Sequence, residues 1–349
     1  MKKLEIDFGG EKSSVYIGDG LSDSASELFD LKRKVLVVTD RGVPAGYAKK
    51  VAEQCADATV AVIPGGEESK TPETATDLCR TMMNAGFSRR DAVVAVGGGV
   101  PGDIAGLAAA LYMRGTDFYN IPTTVLSQVD SSIGGKTGVN LDGIKNMIGA
   151  FKQPRAVIVD PLLTDTLPKR LAAEGLAEAL KMSVTFDADL FRVFESGDPM
   201  PRLGRIIERS LEIKADVVSR DEKEKGLRRV LNFGHTVGHA IESLGLGYYH
   251  GECVALGMTA VCTGELKARL LKALENTGLP VSAAFDREAA LDAMSHDKKS
   301  AGDGSVSVIF SGAPGTWREE RLGPDGLRRL VFDNFSSEAG NTAPGGYSR

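Results

Sequence analysis

The chain reads as α/β: an open parallel sheet flanked by helices, followed by a mostly α-helical half. Three observations predict this. Short, continuous apolar runs recur in the first half, each closed by Gly, Pro or Asp. Helical periodicity fills the gaps between them. Beyond about Leu163, helical patterns dominate and strand runs nearly vanish. Val35–Thr39 is apolar at every position but the last and stops at Asp40, as a strand buried on both faces should. A helix follows Pro44 to about Gln54. Thr59–Ile63 is the next strand, closed by Pro64-Gly65-Gly66-Glu67. Pro72 opens a helix to about Asn84, which Gly86 caps. Ala92–Val96 is the third strand and runs into Gly97-Gly98-Gly99, with Asp103–Met113 helical after it. Strands follow at Phe118–Ile121 and Ala156–Val159. This βαβ rhythm is Rossmann-like. Lys169–Phe186, Arg202–Ser219, Gly234–Leu244 and Glu252–Glu275 carry helical periodicity, with a short strand at Val306–Phe310. The division falls near Asp160-Pro161 and gives domains 1–162 and 163–335. The Gly-, Ser- and Asn-rich tail 336–349 reads as disordered.

Composition excludes several classes. At 349 residues, 42% hydrophobic and 26% charged, the chain is an ordinary globular one. A net charge of −5 gives no basic field for nucleic acid. No apolar run reaches the roughly 20 residues that cross a bilayer, and Met1–Glu5 opens no signal peptide. Cys55, Cys79, Cys253 and Cys262 are scattered and read as reduced thiols of a cytoplasmic protein.

Gly97, Gly99 and Gly102 fit GxGxxG between a strand and a helix, where bare backbone and a helix N-terminus suit a pyrophosphate. The motif sits on the third strand rather than the first, unlike the usual dinucleotide fingerprint. Asp40 and Glu67, at strand ends, read equally as ribose partners or as turn formers. Lys70 reads as a surface lysine or a cofactor contact, and Thr123 and Thr124 as helix caps or cofactor contacts.

Three of the four histidines fall in one window, Asn232–His239 and Tyr249–Glu252. His235 and His239 share a helix face at i, i+4, and Gly245 and Gly247 let the chain return with His250. Glu178, on a strong helix with Lys181 three residues on, supplies the anionic ligand that His235 and His250 lack. In isolation that pair would be a surface salt bridge. Two imidazoles and one carboxylate leave a position open for a substrate oxygen, as in catalytic zinc sites, so the second half reads as a metal-binding domain. Asp130–Gly138, small and polar, suggests with Lys145 and Asn146 a backbone nest for an anion. Its Gly-Lys-Thr lacks the spacing of an ATP-binding loop, because no glycine stands five residues before Gly135. Lys214, Arg228 and Lys298 add cations.

Gly97–Asp103, Arg114-Gly115, Pro122–Thr124, Gln128–Thr137, Lys145–Phe151, Ala177–Lys181, Leu231–His239 and His250–Ala255 together resemble the 3-dehydroquinate synthase family of sugar phosphate cyclases. The resemblance runs from Val35 to Lys299. It implies an NAD-binding domain, a helical metal domain and a homodimer with the active site in the cleft. It implies zinc, replaceable by cobalt, on Glu178, His235 and His250. NAD contacts would be Asp40, Glu67, Lys70, Gly98, Gly99, Val100, Asp103, Thr123, Thr124, Lys136, Lys145 and Thr166. Asp130, Lys136, Lys181, Lys214, Arg228, Asn232, His239 and Lys298 would serve substrate and catalysis. Arg114, reaching in from the neighbouring subunit, and Asn146 would hold the substrate phosphate. The implied reaction turns 3-deoxy-D-arabino-heptulosonate 7-phosphate into 3-dehydroquinate and phosphate. It passes through transient oxidation, phosphate β-elimination, reduction and intramolecular aldol closure. Ser132–Lys136 keeps the dehydroquinate type, the region Cys262–Leu279 is shorter than in many relatives, and Lys298 and Lys299 compete for one role. The rivals are another cyclase, a metal-dependent alcohol dehydrogenase, which has little use for so many cations, and a non-catalytic NAD- and zinc-binding protein.

Overall fold

A computed structural model describes residues 1–296 and 305–337. The chain forms two compact units. One holds Met1–Pro168 together with Leu211–Glu222, and the other holds Lys169–Ser210 and the chain from Lys223 onward.

The first unit opens with a hairpin, β1 (Lys2–Phe8) and β2 (Glu11–Ile17). There follow α1 (Ala25–Leu28), β3 (Lys34–Asp40), α2 (Ala45–Ala52), β4 (Asp57–Ile63), α3 (Pro72–Asn84), β5 (Ala92–Gly97), α4 (Gly99–Leu111) and β6 (Asp117–Pro122). A second hairpin, β7 (Lys136–Leu141) and β8 (Ile144–Phe151), forms its own small sheet before β9 (Ala156–Val159). The main sheet has seven strands in the order β1-β2-β9-β6-β5-β3-β4, parallel except for β1 against β2. Alternate residues feed two cores. Leu36, Val38, Val93 and Ala95 pack with Leu78, Met82, Ile104 and Leu107 of α3 and α4. Val35, Val37, Val94 and Val96 pack with Phe29, Ala48 and Val51 on the other face. Both faces are therefore dry, which is why these strands read as unbroken apolar runs.

The strand order places the candidate nucleotide site. From β3 the chain crosses outward to β4, whereas from β5 it crosses the other way to β6. The neighbours β3 and β5 thus flank a topological switch point, where a crevice opens beyond the carboxyl ends of the strands. Asp40 ends β3 and Gly97 ends β5. This explains why the glycine motif lies on the third apolar strand of the sequence.

The second unit is helical: α5 (Lys169–Phe186), α6 (Ala188–Glu195), the start of α7 (Leu203–Arg220), α8 (His235–Ser243), α9 (His250–Val261), α10 (Glu265–Thr277), α11 (Arg287–His296) and α12 (Pro324–Phe332), with a hairpin β10 (Val306–Phe310) and β11 (Arg318–Leu322) before the last. Residues Leu211–Arg220 of α7 belong to the first unit. Every residue of α9 from Gly251 to Val261 is buried. Glycines let α9 touch its neighbours backbone to backbone. A Cβ on Gly257 would lie 1.9 Å from the Gly234 carbonyl oxygen of the turn into α8, and one on Gly251 2.0 Å from the Glu174 carbonyl oxygen of α5.

Several expectations need correcting. The predicted helix Glu252–Glu275 is two helices. Cys262 is extended and bridges to Ser311, and Gly264 has φ +61, so the chain breaks there although its apolar periodicity runs on. The helix predicted from Asp103 begins at Gly99 and stops at Leu111; Met113 and Arg114 turn left-handed, φ 49 and 67. The stretch read as an anion nest is in part a strand, β7 from Lys136. The hairpin β1–β2 has no counterpart in the sequence reading, because β1 is more than half charged at the sheet edge and β2 carries only a short apolar end, Val15–Ile17. The tail from Glu338 and the paired lysines 298 and 299 lie outside the described residues.

Gly257→Ala tests the backbone contact. Helix propensity alone would favour alanine by about 1 kcal/mol. Overpacking against a carbonyl costs about 1–3 kcal/mol, so we expect a net loss and a lower melting temperature. An unchanged or raised melting temperature would show that α8 and α9 part freely.

Candidate functional site

Three helices of the second unit converge on one carboxylate. Glu178 and Lys181 lie one turn apart on α5 and are 1% and 2% exposed, so this is no surface salt bridge. Lys181 Nζ donates to Glu178 Oε2. The other oxygen, Oε1, is buried and receives no hydrogen bond. His235 Nε2 stands 3.5 Å from it and His250 Nε2 3.6 Å. The rings of His235, His239 and His250 lie 5.1–5.6 Å apart, and each offers a ring nitrogen within 4.8 Å of the others.

Tautomers follow from the partners. His235 Nδ1 is 3.3 Å from the Phe233 carbonyl, and His250 Nδ1 is 3.1 Å from Glu242 Oε2. A carbonyl and a carboxylate only accept, so each Nδ1 carries a proton. Both Nε2 atoms therefore turn toward Glu178 Oε1. Two imidazole lone pairs and one orphaned carboxylate oxygen fit a divalent cation of zinc type.

The electrostatics agree. Burial works to lift Glu178, but Lys181, His235 and His250 outweigh it and hold the carboxyl well below its usual range. Burial, helped by Lys181, lowers His235 to about 3 and keeps it neutral. Burial also opposes charge on His250, yet the facing carboxylates of Glu178 and Glu242 prevail and raise it to about 10. A cation competes with that proton for the same lone pair. Burial pushes Glu174 up to about 7, against the pull of the Gly251 N–H, which it accepts at 3.2 Å. Arg170 grips Glu252 through two bonds of 2.7 Å, while Glu252 accepts the Tyr249 N–H at 2.8 Å and caps α9. The first residue of that capped helix is His250.

In the first unit, Gly98 caps α4 without a side chain, leaving bare amides at the start of a 13-residue helix. A Cβ there would come within 3.0 Å of the Thr124 methyl. The Thr123 N–H bonds the Gly97 carbonyl at 2.9 Å and holds this turn. Such a cradle accepts a pyrophosphate. Lys70, 6% exposed, bonds Asp103 and Asn146, each at 2.6 Å. Asn140 joins Glu67, at 2.9 Å, to the Asn146 amide, also at 2.9 Å. Glu67, Lys70, Asp103 and Asn146 are thus one cluster, and Lys70 is no surface lysine. Burial raises the Asp103 carboxyl even with Lys70 upon it. Lys214 on α7 bonds the Asp130 carboxylate at 2.6 Å. Asp40 spends Oδ1 on the turn amides of Gly42 and Val43, at 2.7 and 3.2 Å.

The remaining candidates are spread more widely. Val100 lies in the first turn of α4, half-buried, and the Thr166 hydroxyl is 3.4 Å from that of Tyr47. Lys136 and Lys145 are exposed on the β7–β8 hairpin, and Arg114 is exposed at the end of its turn. Arg228 is buried, Asn232 donates to Glu224 at 2.7 Å, and His239 is exposed. The sequence reading missed Glu242, Arg170, Glu174 and Asn140. Glu242 alone left a signal, since His235, His239 and Glu242 recur at i, i+4, i+7 on one helix face.

This fold, with a switch-point crevice and a histidine–carboxylate cluster, is that of the sugar phosphate cyclases. A crystal structure of 2-deoxy-scyllo-inosose synthase complexed with carbaglucose-6-phosphate, NAD+ and Co2+ superposes with a TM-score of 0.86 at 25% identity, covering 96% of this chain and 100% of the other. Residues 60–174 match the 3-dehydroquinate synthase N-terminal family and residues 175–300 the C-terminal one. The 3-dehydroquinate synthase of Latilactobacillus sakei subsp. sakei (strain 23K) is 38% identical, over 97% of this chain and 98% of that protein. That of Thermoanaerobacter sp. (strain X514) is 44% identical, over 86% and 91%. The chain belongs to the 3-dehydroquinate synthase family.

Lys70→Met removes the donor shared by Asp103 and Asn146. Breaking a buried pair costs about 3–5 kcal/mol, and the partial exposure of Asp103 puts the expected loss near the lower figure. Urea unfolding reads it; a change below about 1 kcal/mol would mean the pair behaves as an exposed one.

Proposed function

We propose that the chain is a 3-dehydroquinate synthase of the shikimate pathway, a lyase that converts 3-deoxy-D-arabino-heptulosonate 7-phosphate to 3-dehydroquinate and phosphate. The observation that carries this is the meeting of Glu178 Oε1 with two histidine Nε2 atoms in a chain of this family. When bound, a divalent cation (zinc, with cobalt as substitute) supplies Lewis-acid polarisation of a substrate hydroxyl, and NAD+ supplies a reversible hydride acceptor.

The chain's own residues do the rest. Lys181 keeps Glu178 ionised, hence a ligand. His239, exposed beside the cluster, takes the proton of the polarised hydroxyl. Arg228 suits a planar carboxylate, which its two-pronged guanidinium grips. Lys136, Lys214, Asn146 and Arg114 serve the phosphate and Asp130 orients Lys214. The amides of Gly99 and Val100 receive the pyrophosphate, with Lys70 and Asp103 holding the neighbouring loop. With a hydride acceptor bound, a ketone at the hydroxyl carbon would acidify the adjacent C–H and let phosphate leave by elimination, its charge met by the cations that serve it.

The active form is a homodimer. Exposed apolar side chains support this: Leu111, Met113, Met147 and Phe151 are each about half exposed, the first two close in sequence to Arg114 and the others on the hairpin that packs on α4. Covered by a second copy, these side chains would bring Arg114 to the partner's substrate phosphate. The cytoplasm is the compartment, on the support of four cysteines that form no disulfide, and no described helix is long and apolar enough to cross a membrane.

Protein given the heptulosonate phosphate, NAD+ and Zn2+ should release phosphate and the carbocycle in equal amounts, with no lasting NADH absorbance. Steady NADH accumulation would instead make it a dehydrogenase. Phe151→Asp should yield monomers by sedimentation and raise KM for the phosphate substrate, as Arg114→Ala should in a dimer. A dimeric Phe151→Asp protein with unchanged KM would place the interface elsewhere.

A further inference from the structure

We propose that Glu242 is a positioning residue: it holds His250 in the tautomer and orientation that present Nε2 to the cation. This rests on the metal reading above. The two histidines on Glu178 are not held alike. His235 is 12% exposed in its side chain and has the Phe233 carbonyl at Nδ1. His250 is 31% exposed and stands at the first position of α9. What faces its Nδ1 is the Glu242 carboxylate, 3.1 Å away and itself 16% exposed.

A neutral imidazole has one proton and two places for it. Glu242 accepts only, so once a cation has displaced the second proton it keeps the remaining one on Nδ1 and leaves Nε2, 3.6 Å from Glu178 Oε1, to the cation. Without Glu242 the proton is free to sit on Nε2, bonded to Glu178, and the ligand position closes. A carboxylate also makes the imidazole a stronger donor than a carbonyl does. The placement is built into α8. His235, His239 and Glu242 share one face at i, i+4, i+7, and the Gly238 backbone within that span lies close enough that a Cβ would be 2.9 Å from the Cys253 carbonyl oxygen of α9. Helix α8 therefore carries both a ligand and the group that orients the ligand of α9.

The test is zinc affinity. Wild type, Glu242→Gln, Glu242→Ala and His250→Ala are stripped with a chelator and titrated with Zn2+ against a chromophoric competitor. Their metal-free melting temperatures are recorded, along with the visible spectra of their Co2+ forms. Wild type is expected to bind one equivalent and His250→Ala to lose tight binding. Both Glu242 variants should bind about 10–100-fold more weakly. Glu242→Gln, equal in volume but able to donate to Nδ1, should melt like wild type without metal and shift the Co2+ bands. Wild-type affinity and an unshifted spectrum in Glu242→Gln would overturn the positioning role. Wild-type protein that takes up no zinc would overturn the metal reading itself.

Discussion

The structure turns on one buried carboxylate. Glu178 sits in the protein interior with Lys181 on one oxygen and two imidazoles aimed at the other. Taking two charges out of water costs several kcal/mol apiece, and their attraction repays this only when every remaining lone pair is satisfied. Here one is not: Oε1 is buried without a donor. A fold selected for stability alone would replace such a pair with apolar side chains. Its retention makes sense where the orphaned oxygen has work to do, and the chemistry of this family supplies it. Lys181 then matters less as a stabiliser than as the charge that keeps the carboxyl ionised in a dry place.

Everything around that point serves to hold it still. Helix α9 lies on α5 and α8 through glycines, so the distances between Glu178, His235 and His250 follow from backbone contact rather than from flexible side chains. Its first turn is clamped by Glu252, which Arg170 holds in turn. The first unit solves a different problem, presenting bare amides and small hydroxyls to an anionic ligand. It does so where strand order reverses, since only there do the loops after two neighbouring strands leave in opposite directions.

Much of this was legible in the chain. Strands β3, β5, β6 and β9 announced themselves as apolar runs because a parallel sheet covered on both faces demands them, and β4 showed the same kind of run although it is the half-exposed edge of the sheet. The histidine window and Glu178 were visible because ligand chemistry restricts residue type. Other features depend on contacts that no local pattern encodes. The β7–β8 hairpin pairs Gly138 with Gly149, and its apolar stretch Met147–Phe151 is glycine-broken and largely exposed, unlike the buried runs of the main sheet. The break between α9 and α10 comes from a bridge to Ser311, while the periodicity continues across it. Opposite charges at i, i+3 look the same on paper whether they lie on a surface or in a core, so Glu178–Lys181 and the burial of Lys70 emerged only from tertiary structure. Several assigned roles, among them Lys136, Lys145 and Arg114, came from family likeness rather than from the residues.

The glycine seams around α9 also decide where this enzyme can evolve. The cluster's chemistry resides in side chains that could be exchanged one at a time, so a library at Glu178, His235 or His250 would vary that chemistry on an unchanged frame. The spacing of the frame is another matter. Gly251 and Gly257 leave no room for even a methyl group, so a side chain at either position would push α5, α8 and α9 apart. New chemistry at this cluster therefore has to come through the groups that line it, with the seams that gather them left as they are.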